Sequence, residues 1–128
     1  MDVIQQWHQA VKTLDMAILS DILAEDVVFH SPVVWTPQPG KMITAMYLMA
    51  AAQVIGGEHF HYTKEIIGEN QACLEFMTKI DDIVVNGVDI ITINEAGLIS
   101  EFKVMVRPYK GMLALKEKMF EMMQKMGG

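Results

Sequence analysis

The sequence predicts an α+β fold in which a curved, mainly antiparallel sheet wraps on N-terminal helices, with an extra helix at the C-terminal end. Three observations lead there. Apolar residues recur at helical spacing through the first part of the chain, then give way after Glu58 to β-prone runs. Short polar turns separate those runs, as in an antiparallel meander. Helices gathered early and strands gathered late fit α+β better than an alternating α/β order.

The first helix sets Val3, Ile4, Trp7, Val11 and Leu14 on one apolar stripe. Asp15 is placed to cap a second, short helix carrying Ile18, Leu19, Ile22 and Leu23. Val27 to His30 forms a short β-prone run stopped by Pro32, and the three prolines between Pro32 and Gly40 make the next stretch an ordered loop. Lys41 to Ile55 reads as a nearly uncharged helix, buried on most of its circumference and ended by Gly56-Gly57. Four long strands follow at His59–Ile67, Ala72–Ile80, Val85–Ile93 and Leu98–Arg107. Pro108 ends the last one. A terminal helix over 109–126 then presents Met112, Leu115, Met119, Met122 and Met126 as an apolar seam among lysines and glutamates.

At 128 residues the chain fits one domain, 1–128, large enough to bury a core without disulfide or metal. A hydrophobic fraction of 52% and a charged fraction of 20% point away from disorder. The net charge of −6, with no basic cluster, argues against nucleic acid as a partner. Met42 to Ile55 is shorter than the ~20 residues of a membrane span, and no membrane association is expected. The N-terminal residues lack the pattern of a signal peptide, and a single cysteine, Cys73, permits no intramolecular disulfide. A cytoplasmic location is the expectation.

Leu23-Ala-Glu-Asp-Val-Val-Phe-His-Ser-Pro32, with Pro39-Gly-Lys41 after it, resembles the stretch joining the second and third helices of the nuclear transport factor 2-like superfamily. Asn86 to Phe102 resembles the hairpin before that superfamily's last strand. The likeness is greatest to the SnoaL-like branch, which includes polyketide cyclases and is related to ketosteroid isomerases. It implies a cone-shaped barrel enclosing a deep apolar pocket, commonly in a homodimer. It implies no single activity, because fold and function separate in this group. The expected partner is a small hydrophobic molecule, with no cofactor. The expected function is of isomerase or cyclase type, on a hydrophobic carbonyl compound. A non-catalytic, dimeric ligand-binding or interaction module is the alternative.

Three residues are catalytic candidates. Asp89 interrupts an apolar strand between Val88 and Ile90. The resemblance places it where ketosteroid isomerases keep an oxyanion-stabilising acid, a role that burial supports by keeping a carboxyl protonated. A surface ion pair is the competing reading. The isomerases' base position falls on Ser31, which cannot take a proton at neutral pH unless activated. His30 has a suitable ordinary pKa of ~6.5, but it points away from the pocket if Ser31 points in, unless a bulge intervenes. The isomerases' tyrosine donor falls on Trp7, whose indole N–H donates a hydrogen bond but transfers no proton. With two of three isomerase positions altered, the sequence argues against steroid isomerisation itself.

Trp7, Trp35, Tyr47, Phe76, Phe102 and Val106 are the expected pocket lining. His59 and His61 share a strand face, but no further ligand pair accompanies them, and no metal is expected. Cys73, among apolar neighbours, reads as a buried inert thiol, and the serines lack a nucleophile elbow. Glu75, Lys79, Glu101, Lys103 and Arg107 alternate with apolar residues and are expected as cross-strand pairs on the convex face. A register slip of one residue would instead turn Lys103 and Arg107 inward, toward an acidic ligand. The twelve methionines fit irregular packing, with a flexible lid or dimer seam as a second use for those of the terminal helix.

Overall fold

The structure, a computed structural model, describes residues 2–127. Helix α1 (Val3–Thr13) opens with a capping box: Asp2 accepts from the Gln5 backbone N–H and Gln5 accepts from that of Asp2. Its stripe buries Ile4, Trp7 and Ala10. Leu14 turns the chain in the left-handed region, and Asp15 caps α2 (Met16–Ile22) through the N–H groups of Ala17 and Ile18. Strand β1 (Leu23–His30) leaves α2 directly, four residues before the expected start. Its first half is irregular, with a register shift between Leu23 and Val28 that carries the exposed Glu25 and Asp26. Those two acids hide the strand from a pattern reading.

The proline-rich loop holds a two-residue strand, β2 (Gln38–Pro39), paired to the outer side of β1, an edge where proline's missing N–H costs nothing. Helix α3 (Lys41–Ile55) has the expected bounds, but Met42 is 88% exposed, so its apolar circumference is not buried all round. The helix lies on one face of the sheet, leaving its outer side to water.

The four long strands are β3 (His61–Ile67), β4 (Gln71–Ile80), β5 (Ile83–Ile93) and β6 (Ile99–Arg107). They form the expected antiparallel meander. Asp81 and Asp82 turn the β4–β5 hairpin with φ of 48° and 67°, as a two-residue primed turn requires. Strand order is β2-β1-β6-β5-β4-β3, and β1 joins β6 in parallel. The sheet curves into the expected cone without closing, and β2 and β3 remain its edges.

Helices α1, α2 and α3 pack with the concave face into the main core, around Phe102, Leu74 and Ile91. A smaller cluster of Ile80, Val85 and Leu115 lies under α4 (Tyr109–Gly127). The expected seam of α4 packs inward through Leu115 and Met119 and loses its cover at the end of the helix, where Met126 is 37% exposed. No helix among the described residues is long and apolar enough to cross a membrane.

On the convex face Arg107 donates to Asn86, and Asn86 donates to Glu75, a chain across three strands. Cys73 shares this outward side and is half-buried, which corrects its expected place in the core.

Gly87 faces the Phe76 ring on β4, and a Cβ there would lie 2.3 Å from the ring. Because Phe76 is buried, Gly87→Ala is expected to destabilise by about 1–3 kcal/mol through overpacking, measurable by urea unfolding; an unchanged midpoint would show that the ring shifts into the cavity beside it.

Candidate functional site

Alternation along β5 turns Val85, Gly87, Asp89 and Ile91 toward the concave face. The same rule on β6 turns Phe102, Val104 and Val106 inward, and on β1 Phe29, with Ser31 just past the strand end also at the cavity. The open end of the cone is covered by α3 and α4. Between these layers lies an apolar cavity of about 490 Å³, within the ~300–1,000 Å³ range of small-molecule sites. Aromatic rings form much of its wall: Trp7 lies 4.7 Å from Phe102 between centroids, and Tyr47 stacks on Phe29 at 5.4 Å. Met119, Phe120 and Met123 of α4 complete it.

Asp89 is the one buried carboxylate among the described residues, 5% exposed. The Tyr62 hydroxyl donates to its Oδ2 at 2.8 Å, and the Trp7 indole N–H donates to the Tyr62 oxygen at 3.0 Å. Burial pushes the Asp89 carboxyl up to about 7, against the smaller opposing effect of the Tyr62 hydrogen bond. Burial raises Tyr62 as well, reinforced by the charge of Asp89, so the phenol stays protonated and remains a donor. A half-buried His8–Glu65 pair flanks this chain, with the His8 ring edge-on to Tyr62 at 4.9 Å.

The structure brings Trp7, Ser31, Tyr47, Phe76, Asp89, Phe102 and Val106 to the cavity. It separates two others from it. His30 points to the opposite face and pairs with Glu101 at 2.9 Å, so the expectation of His30 as a catalytic group is corrected; β1 is regular at this point and no bulge reverses the alternation. Trp35 is 97% exposed on the proline-rich loop and forms no part of the wall, because the chain leaves the cavity after Val34. Ser31 Oγ accepts from the Val33 N–H at 3.0 Å and the Val34 N–H at 3.4 Å, anchoring that loop. Lys103 and Arg107 stay outside the cavity, so the slipped register does not occur. His61 Nδ1 lies 3.3 Å from the His59 carbonyl oxygen, and no group of three or more potential metal ligands assembles among the described residues.

Tyr62 is the functional residue that sequence reasoning misses. Its signal was present, as an inward position on a β-strand, but its pairing with Asp89 spans β3, β4 and β5.

A curved sheet over helices, with an apolar cavity and one buried acid, defines a small α+β pocket protein. The chain belongs to the nuclear transport factor 2-like superfamily. It is similar to an uncharacterised bacterial protein with a cystatin-like fold from Silicibacter pomeroyi, at 33% identity over 95% of this chain and 85% of that one, with a TM-score of 0.88. It is similar to a steroid delta-isomerase from Pseudomonas aeruginosa, at 30% identity over 96% and 90% of the two chains, with a TM-score of 0.90. A nuclear transport factor 2-like protein of unknown function from Mesorhizobium loti shares the fold at 19% identity, over 83% and 88% of the chains and with a TM-score of 0.72. No family model and no curated protein sequence matches the chain.

Two predictions follow from the Asp89 environment. The unfolded chain releases the Asp89 proton near 3.8 and the folded chain near 7. Between those values the fold holds a proton that the unfolded state has lost, so stability falls as pH rises, by up to on the order of 4 kcal/mol. Asparagine has no such dependence. Thermal melts are expected to show Asp89→Asn gaining on wild type from about 3.8 up to about 7 on the pH scale; parallel curves there would show that the carboxyl is not held neutral. Tyr62→Phe removes the bond that favours the ionised form and is expected to move Asp89 above its value of about 7, as read from the carboxyl carbon chemical shift. A midpoint that stays put would show that the bond contributes nothing in solution.

Proposed function

We propose that this protein is a SnoaL-like enzyme of isomerase or cyclase type that binds a small hydrophobic carbonyl compound and moves a proton on it with Asp89. The observation that carries the reading is a titratable carboxyl buried in a predominantly apolar cavity, with its pKa raised by that burial to about 7. A general acid–base group works best with a pKa near the working pH, because both forms are then populated. Most carboxylates in water are too weak as bases for this task; desolvation strengthens this one.

In the proposed step, the Asp89 carboxylate takes a proton from the carbon beside the carbonyl. The C–H electron pair becomes the enolate double bond, and the carbonyl π pair moves to oxygen. Returning the proton at a conjugated carbon completes an isomerisation. In a cyclase the enolate carbon would instead attack a second carbonyl of the same molecule, whose oxygen then receives the proton. Neither route needs a redox partner. The similarity to the Pseudomonas aeruginosa steroid delta-isomerase supports this class of reaction. The exchanged residues at Trp7 and Ser31 turn the reading away from steroids themselves.

Deuterium incorporation into 2-tetralone, a bicyclic ketone with acidic C–H bonds, provides the test. Wild type in D2O is expected to accelerate exchange, followed by proton NMR, with a rate rising through about pH 7, the Asp89 value. Asp89→Asn is expected to lose the acceleration by about a hundredfold or more. Binding of 2-tetralone in the cavity with no exchange above buffer would establish the non-catalytic binding module instead.

A further inference from the structure

Ser31 follows the last residue of β1 and lines the cavity. The parallel register pairs Phe29 with Phe102 and ends with His30 on Lys103; extended by one residue, it would bring Ser31 level with Val104. Val104 pairs in turn with Asp89. Ser31, Val104 and Asp89 then form one row from the end of β1 across β6 to β5, and all three line the cavity. Two strand spacings separate the ends of the row, roughly 10 Å between Cα atoms. Both side chains rise from a concave surface, so the gap between their tips is shorter. A hydrogen bond of ~2.8 Å at one end, a reactive approach of ~3 Å at the other, and a carbonyl group with its neighbouring carbon between them fill that space.

The hydrogen bonds give the two ends opposite polarity. Ser31 Oγ accepts from two backbone N–H groups, which occupy its lone pairs and leave it neither base nor nucleophile. Its own proton has no acceptor among the described residues. A hydroxyl polarised by two incoming donors is a better donor itself. At the other end, Trp7 can only donate, so the Tyr62 oxygen receives the indole N–H and the phenolic proton is committed to Asp89 Oδ2. This leaves Asp89 Oδ1 as the oxygen that exchanges a proton with a ligand.

We propose, resting on the enzymatic reading above, that Ser31 is the hydrogen-bond donor to the developing enolate oxygen and Asp89 Oδ1 is the proton acceptor. The division of labour also names the substrate class. One neutral donor gives limited oxyanion stabilisation, so the substrate must spread the charge itself. That fits 1,3-dicarbonyl compounds and ketones conjugated through a double bond or an aryl ring, with the carbonyl oxygen toward β1 and the acidic carbon toward β5. The proton passes from carbon to Oδ1 while the oxygen gains charge against the Ser31 hydroxyl, and the return transfer restores Asp89.

The test is the affinity of 2-naphthol, whose ionised form mimics such an enolate, measured by fluorescence at about pH 8. Ser31→Ala is expected to weaken binding about tenfold or more. Ser31→Ala is expected to leave the affinity for naphthalene, which has no oxygen to accept the bond, unchanged; a role only in anchoring the loop would weaken both ligands alike. Ser31→Thr restores the hydroxyl and is expected to restore binding. Asp89→Asn, which removes a negative charge near the oxyanion, is expected to bind at least as tightly as wild type. Undiminished binding by Ser31→Ala, or weakening of about tenfold by Asp89→Asn, would overturn the assignment and make Asp89 the donor. Failure of wild type to bind 2-naphthol, together with failure to exchange 2-tetralone, would remove the enzymatic reading on which the assignment rests.

Discussion

A carboxyl surrounded by hydrocarbon cannot ionise freely, and it cannot remain without a hydrogen-bond partner except at a cost of kilocalories. Asp89 meets both constraints through one contact, the 2.8 Å bond from Tyr62. That contact explains why a tyrosine faces inward on the edge strand β3 and why a tryptophan of α1 ends against its oxygen. Three separate elements thus converge on one acid. Desolvation raises the Asp89 pKa and the Tyr62 bond restrains the rise, so the carboxyl sits near neutrality. Without the bond it would be a more permanently neutral acid; without the burial it would be an ordinary carboxylate.

The shape of the fold supplies the space for that acid. Pairing β1 in parallel with β6 extends the meander into a sheet wide enough to curve over three helices. Gly87 leaves room for the Phe76 ring, which packs on the same concave side as Asp89. The terminal helix closes the remaining end with Leu115 and Met119 packed inward and Phe120 and Met123 against the cavity. Methionine suits this position, since its unbranched chain conforms to an irregular surface.

Membership of the superfamily accounts for the scaffold, and the chemistry depends on which side chains the scaffold presents. An indole replaces a phenol on α1 as the resemblance aligns them, so the polarity of the chain through Tyr62 runs toward Asp89. A serine whose lone pairs are committed to its own loop replaces an acid at the end of β1. On the proposed reading, both changes leave Asp89 as the group that moves the proton. The convex face, by contrast, carries its charges in pairs and chains, as with His30 and Glu101 or with Arg107, Asn86 and Glu75.

Local patterns in the sequence determined the helices α1 to α4 and the four-stranded meander, while the inward direction of Asp89, Phe102 and Val106 was implied by the resemblance of the hairpin. Each element follows from a periodicity or a turn that neighbouring residues specify by themselves. The start of β1 was illegible because Glu25 and Asp26 occupy an irregularity that breaks the alternation. Trp35 was misplaced because a residue's type does not tell which way a loop leaves a strand. The parallel β1–β6 pairing, the open edge at β3 and the partnership of Tyr62 with Asp89 were decided only by tertiary structure. These contacts join residues far apart in the chain, 27 positions for Tyr62 and Asp89, and their geometry depends on the curvature of the whole sheet rather than on any local preference.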